Sequence, residues 1–262
     1  MLQIDTPEHA QHAIRWFTAW ARAGRFALQA AVAALSRETY TAATREVAVR
    51  QIYFTAWQPL VGFTLFTALL SLVVIQITVS ASRSYGLSEY ALELVFRVLV
   101  LELLPFATAL LVALRSGSAL STEVALMHAS GELEALRRAD IDPLKREFVP
   151  RVVAAALSVA SLTAISCFIA MSIAYAAMYG FSPYGFAEYT REVASVFNTQ
   201  TLAGFILKAI AFGTAVAVIP IAAGIDATAN LKSAPVAVMG GMVRLVLALA
   251  LMEVLSLTVK YV

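Results

Sequence analysis

Polar and apolar positions fall into three kinds of stretch along this chain. From residue 8 to 35, Ala13, Trp16, Phe17, Trp20, Gly24, Ala27, Leu28, Ala31 and Leu35 recur every three or four residues, with Arg15, Arg22, Arg25 and Gln29 on another face. That period predicts an amphipathic helix lying in a membrane interface, tryptophans at headgroup depth and arginines toward phosphate. Packing on a soluble partner is the alternative for the same pattern. Five long apolar runs follow, at about residues 52–79, 90–114, 152–179, 201–225 and 234–259. Each is longer than the roughly 20 residues that cross about 30 Å of hydrocarbon at 1.5 Å per residue. The prediction is an all-α membrane protein, with an N-terminal interfacial region over 1–50 and a five-span domain over 51–262. Pro59 lies near the start of the first run, where a proline removes few helical hydrogen bonds.

The third kind of stretch is charged and lies between the second and third runs. In SGELEALRRADIDP, Glu132 and Glu134 open a short helix and Arg137 and Arg138 close it, as the helix dipole favours. Glu134 and Arg138 have the spacing of a pair, Leu133 and Leu136 form an apolar edge, and Asp140 to Pro143 supply a stop and a turn. Before it, Ser116, Gly117, Ser118, Ala119 and Ser121 allow helix backbones to approach closely. Aromatic residues crowd 180–199, which predicts an interfacial loop or short helix.

Composition agrees with the pattern. Of 262 residues 60% are apolar and 14% charged, with a mean hydropathy of +0.79, far from the averages of soluble domains. A net charge of +2, scattered over several segments, excludes a nucleic-acid binder. The single Cys167 excludes a disulfide framework within the chain. No P-loop and no H-E-x-x-H occur, so ATP chemistry would reside on another chain. His9 and His12 are read as surface residues and His128 stands alone. No cleaved signal peptide is expected from the first fifty residues.

Basic residues set the expected topology. Six precede the first run, six lie between Arg115 and Arg151, and Lys232 follows the fourth run; the opposite side has Arg83, Arg191 and Lys260. Thirteen against three places the N-terminus in the cytoplasm and the C-terminus outside. Charges within the runs cost about 2.5–3.5 kcal/mol each at the bilayer centre, so they must face protein or water. Glu93 and Arg97 are four apart and can pair, while Glu102 lies deeper, near Pro105. Arg97, Lys208 and Glu253 are at similar depths in the outer half, and one polar site of Lys208 and Glu253 with Arg97 nearby is expected. Arg244 and Glu253, nine residues apart, cannot pair within one helix.

The run ALLVALRSGSALSTEVALM followed by IDPLKREFVPR, within Glu102 to Arg151, resembles the signature region of the MlaE family, the permease subunits of ABC systems that move phospholipid in Gram-negative envelopes. The likeness extends over nearly the whole chain, and an interfacial first helix agrees with it. By position, the resemblance implies that Glu102 is the acid of the family's RELGP motif. Lys208 in ILKAIAF and Glu253 then match charged positions that line or support a lipid cavity between two copies of the permease. It implies that Gly131, Glu132, Leu133, Glu134, Leu136, Arg137, Arg138, Asp142 and Pro143 form a coupling helix and turn seated in a cytoplasmic ABC ATPase, which would hold ATP and Mg; no cofactor is expected on this chain. A homodimer in the bacterial inner membrane, a periplasmic MCE-domain protein, phospholipid and a small cytoplasmic STAS-type regulator are the implied partners. The motif's arginine and glycine are Leu101 and Leu104 here, first-span glycines are replaced by residues such as Ser71, and the approach to the last span reads VMGGMVR, which marks a divergent member. Two other readings of the residues are an ion-coupled secondary transporter, with Glu102 and Glu253 carrying protons, and a non-transporting membrane scaffold.

Overall fold

Among the described residues the polypeptide runs almost entirely as helices. The computed structural model describes residues 8–180, 182–226 and 234–261, with side chains in 16–180, 182–226 and 238–260. In order they are α1 (Glu8–Leu35), α2 (Ala42–Ser84), α3 (Ser88–Ala129), α4 (Glu132–Arg138), α5 (Leu144–Tyr179), α6 (Phe186–Val196), α7 (Thr199–Asp226) and α8 (Ala234–Tyr261). Among the described residues there is no strand, and α2, α3, α5, α7 and residues 238–260 of α8 are long and apolar enough to cross a membrane. The connection holding Lys232 and the side chains of His9 and His12 lie outside the described residues.

The helices overrun the apolar runs. α2 starts at Ala42, α3 continues to Ala129 and α5 starts at Leu144, against the 52, 114 and 152 read from hydropathy. Hydropathy marks hydrocarbon contact, whereas the hydrogen-bond ladder continues for as long as propensity and packing support it. The start of α2 is set by a reciprocal cap, in which Thr41 and Thr44 each accept the other's backbone N–H, at 2.8 and 3.4 Å.

Pro59 therefore lies inside a helix and not in its first turn. An interior proline lacks an N–H, and its ring clashes with the carbonyl four residues back. The chain answers with a widened turn: Gln58 N–H donates to Tyr53 O, five residues back, at 2.9 Å. The same device precedes Pro105, where Leu104 N–H donates to Leu99 O, and Pro150, where the widened turn spans Leu144–Phe148. Such turns change which residues face the core, and the one before Pro105 carries Glu102.

Helix α7 is the centre of the bundle, packed against α3, α5 and α8. Two of its glycines allow that. A Cβ at Gly213 would lie 2.6 Å from Ala156 Cα on α5, and one at Gly224 would lie 2.6 Å from Ser121 O on α3. Helix α1 lies against α7 and α5 through Ala19, Ala23, Phe26, Ala30 and Ala33. Leu28 and Leu35, expected on its apolar stripe, are exposed together with Trp16, Phe17 and Val32. The seat is the small-residue stripe because alanines let two helix backbones close, while bulky side chains are left to the exterior. The aromatic segment forms the short helix α6. Its Tyr189 hydroxyl donates to Met171 O at 2.8 Å, and burial pushes this phenol up to about 12, which keeps it a donor at neutral pH.

Gly213→Ala should force α7 from α5 and destabilise the protein by about 1–3 kcal/mol. Gly204→Ala on the same helix, where a Cβ meets nothing within 4 Å, should be neutral or slightly stabilising; thermal unfolding in detergent distinguishes the two.

Candidate functional site

Three helices bring four charges together at the end of the bundle where α7 begins. Glu102 comes from the widened turn of α3, Lys208 from α7, and Glu253 and Lys260 from α8. Lys208 donates to Glu102 Oε2. Its ammonium also forms an ion pair with Glu253 Oε2 at 2.7 Å. Lys260 donates to Glu102 Oε1 at 2.6 Å. The charges thus alternate as Lys260, Glu102, Lys208, Glu253 and sum to zero. Phe212, one turn along α7, places its ring centroid 5.7 Å from the Lys208 ammonium.

Glu102, Lys208 and Glu253 are buried among apolar helices, and Lys260 lies at the more exposed edge. The Lys208 side chain is 7% exposed and that of Glu102 11%. Isolated ions there would cost several kcal/mol apiece, and mutual pairing offsets that cost only when partners are closely placed. Leu101 and Leu104 flank Glu102 and are buried in a cluster with Phe96, Leu99, Cys167, Ala170 and Ala174. The position read as a motif glycine is therefore filled by packed leucine.

Of the residues expected at this site, Glu102, Lys208 and Glu253 come together and Arg97 does not. Arg97 Nε donates to Glu93 Oε1 at 2.7 Å, one turn away on a more exposed part of α3. Lys260 was not among the expected site residues, since hydropathy ended the last span before it. Its spacing from Glu253, seven residues or two helical turns, was the available signal. Arg244 does not pair with Glu253; its Nε donates to Gly240 O at 3.1 Å.

At the opposite end lies α4. Gly131 at its start has φ 76° and Asp140 past its end has φ 58°, and the helix closes with Ile141 N–H donating to Leu136 O at 3.0 Å. Glu132, Glu134, Arg137 and Arg138 are exposed, and Arg137, not Arg138, pairs with Glu134, at 3.2 Å. Asp142 Oδ1 accepts Leu144 N–H at 2.9 Å and starts the next helix. Leu133 points inward, 4% exposed, among Phe26, Met127, Phe148 and Val152, while Leu136 is half-buried. The outward face of α4 is thus charged, with Leu136 at its edge, and Leu133 and the buried Pro143 anchor the turn.

A helical bundle of this kind, with five helices long and apolar enough to cross a membrane, defines a multi-pass membrane protein. The family model for Permease MlaE matches residues 48–259, and the chain belongs to that family. With its five apolar helices it is a multi-pass inner-membrane protein. The intermembrane phospholipid transport system permease protein MlaE of Haemophilus influenzae is 41% identical over 100 residues, 38% of this chain and 35% of that protein. A probable ABC transporter permease protein of Synechocystis is 29% identical over 134 residues, 50% of each chain. The matches thus span half or less of these relatives' own lengths.

Lys208→Met should leave two carboxylates buried without their shared cation and cost about 3–5 kcal/mol. Combining it with Glu253→Gln should recover part of that loss, read as the unfolding midpoint in detergent.

Proposed function

We propose that this chain is the transmembrane permease subunit of an ATP-driven phospholipid transporter, working as a homodimer with a cytoplasmic ABC ATPase and a periplasmic MCE-domain protein. The observation that carries this reading is the cluster of buried Glu102, Lys208 and Glu253, with Lys260 at its more exposed edge, at the end of an otherwise apolar bundle. Alternating ammonium and carboxylate groups complement a headgroup that carries phosphate and amine, while the surrounding apolar helix faces suit acyl chains. Two copies facing each other through the exposed apolar faces of α2 and α8, which include Leu65, Leu69, Leu251 and Leu255, would enclose such a cavity. ATP and Mg would be held by the ATPase, against which the outward face of α4 would seat, and a small STAS-type protein would regulate the assembly. With the N-terminus in the cytoplasm, the charge cluster belongs to the periplasmic half and α4 to the cytoplasm.

The ATPase would close and move α4, and the bundle would shift the amphiphile between the cavity and the periplasmic carrier. Direct ion coupling is the less favoured reading, because both carboxylates are paired with lysines.

The test is purification with whatever accompanies the chain, followed by mass spectrometry of lipids and proteins. Phospholipid and an ATPase should be recovered. Leu136→Asp with Arg137→Glu and Arg138→Glu should retain the lipid and lower ATPase recovery by about tenfold, equivalent to about 1.4 kcal/mol of association. Recovery of the chain alone, with proton uptake that depends on Glu102, would replace this reading with a secondary transporter.

A further inference from the structure

A second buried charge group lies at the α4 end of the bundle, apart from the cluster at Lys208. Arg151, in the second turn of α5, is 7% exposed. One guanidinium nitrogen donates to Glu147 O at 2.8 Å and Glu147 Oε2 at 2.7 Å, and the other donates to Glu123 Oε1 on α3 at 2.9 Å. Arg146 lies 3.7 Å from the same Glu147 carboxylate. The fork therefore ties the end of α3 to the start of α5 across the base of the segment that contains α4. Leu133 anchors α4 itself in the core between those two helices.

We propose that Arg151 is a positioning residue of the transport cycle: it clamps α3 to α5, so that a push on α4 reaches both helices as one rigid movement. The proposal rests on the ATP-driven permease reading. Three features of the site argue for it. A buried ion group returns little net stability compared with apolar packing, whereas a planar guanidinium that holds two acids fixes the relative placement of the helices that carry them. The clamp bridges the two helices that flank α4 in sequence and no others. Its other side forms the wall of a cavity of about 690 Å³, shared with Arg50 and Phe54 of α2 and Glu132 of α4. The guanidinium therefore lies between the apolar layer of Met127, Leu133, Phe148 and Val152 and that cavity, and supplies the polar tie between α3 and α5 at the edge of the layer.

Helix α3 gives the clamp its reach. It carries Glu123 at this end and Glu102 in the cluster with Lys208 at the other. A displacement delivered at Arg151 therefore arrives on the same helix that holds the outer charge cluster.

Two measurements test this. In the full chain, Arg151→Gln should raise amide hydrogen exchange in residues 132–148 about tenfold with α7 unchanged; unchanged protection in 132–148 overturns the clamp. If Arg151→Gln does not fold, Glu123→Gln, which keeps the Glu147 pair, carries the same measurement. In the ATPase complex reconstituted in phospholipid vesicles, Arg151→Gln should lower lipid moved per ATP hydrolysed about tenfold, and Arg151→Lys, a single point charge, should recover part of that ratio. An unchanged ratio overturns the positioning role. Absence of any ATPase with the unaltered chain would sink the permease reading instead, and the exchange measurement would still decide the clamp.

Discussion

A buried ammonium must find carboxylates, and in this protein that requirement ties the bundle together at one end. Lys208 lies on the central helix α7 and reaches Glu102 on α3 and Glu253 on α8, the helices on two of its sides. Burying one of these charges alone would be prohibitive in an apolar bundle, so the three helices can pack only in the register that joins them. Lys260, at the more exposed edge, holds the second oxygen of Glu102.

The packing that permits this register comes from small residues. Gly213 and Gly224 bring α7 against the backbones of α5 and α3, and the alanine stripe of α1 lies on α7 and α5. Arg22 of α1 meets Asp226 at the end of α7 at 2.8 Å, and Arg115 of α3 donates to Gln58 of α2 at 3.0 Å. Polar ties thus occur at both ends of the molecule, with close small-residue contacts between them. This is the expected distribution where hydrocarbon supplies no hydrophobic drive between helices.

Prolines tune the same design. The widened turns before Pro59, Pro105 and Pro150 each absorb a missing donor and a steric clash. The second carries Glu102 and the third contains Glu147, which Arg151 holds. Both charge groups are therefore built on turns that a regular helix would have oriented differently.

The amino-acid sequence by itself determined the helical class, the five spans, a helix at the N-terminal side of them, the charged helix between the second and third spans and the family resemblance. Each of these rests on local periodicity, local hydropathy or a contiguous motif. It also placed Lys208 and Glu253 at one site, because charges in apolar runs need company, and the resemblance added Glu102. Tertiary structure decided who pairs with whom. Glu102 and Lys208 are 106 residues apart, Arg97 is satisfied one turn away and never reaches them, and Lys260 enters from beyond the apolar run. It also turned Leu133 inward and chose the alanines of α1 over its leucines as the packing face. Arg151 reads in sequence as one basic residue at the end of a loop, and only the approach of α3 to α5 makes it a clamp. Burial and pairing depend on how helices cross, and neither hydropathy nor helical period records a crossing.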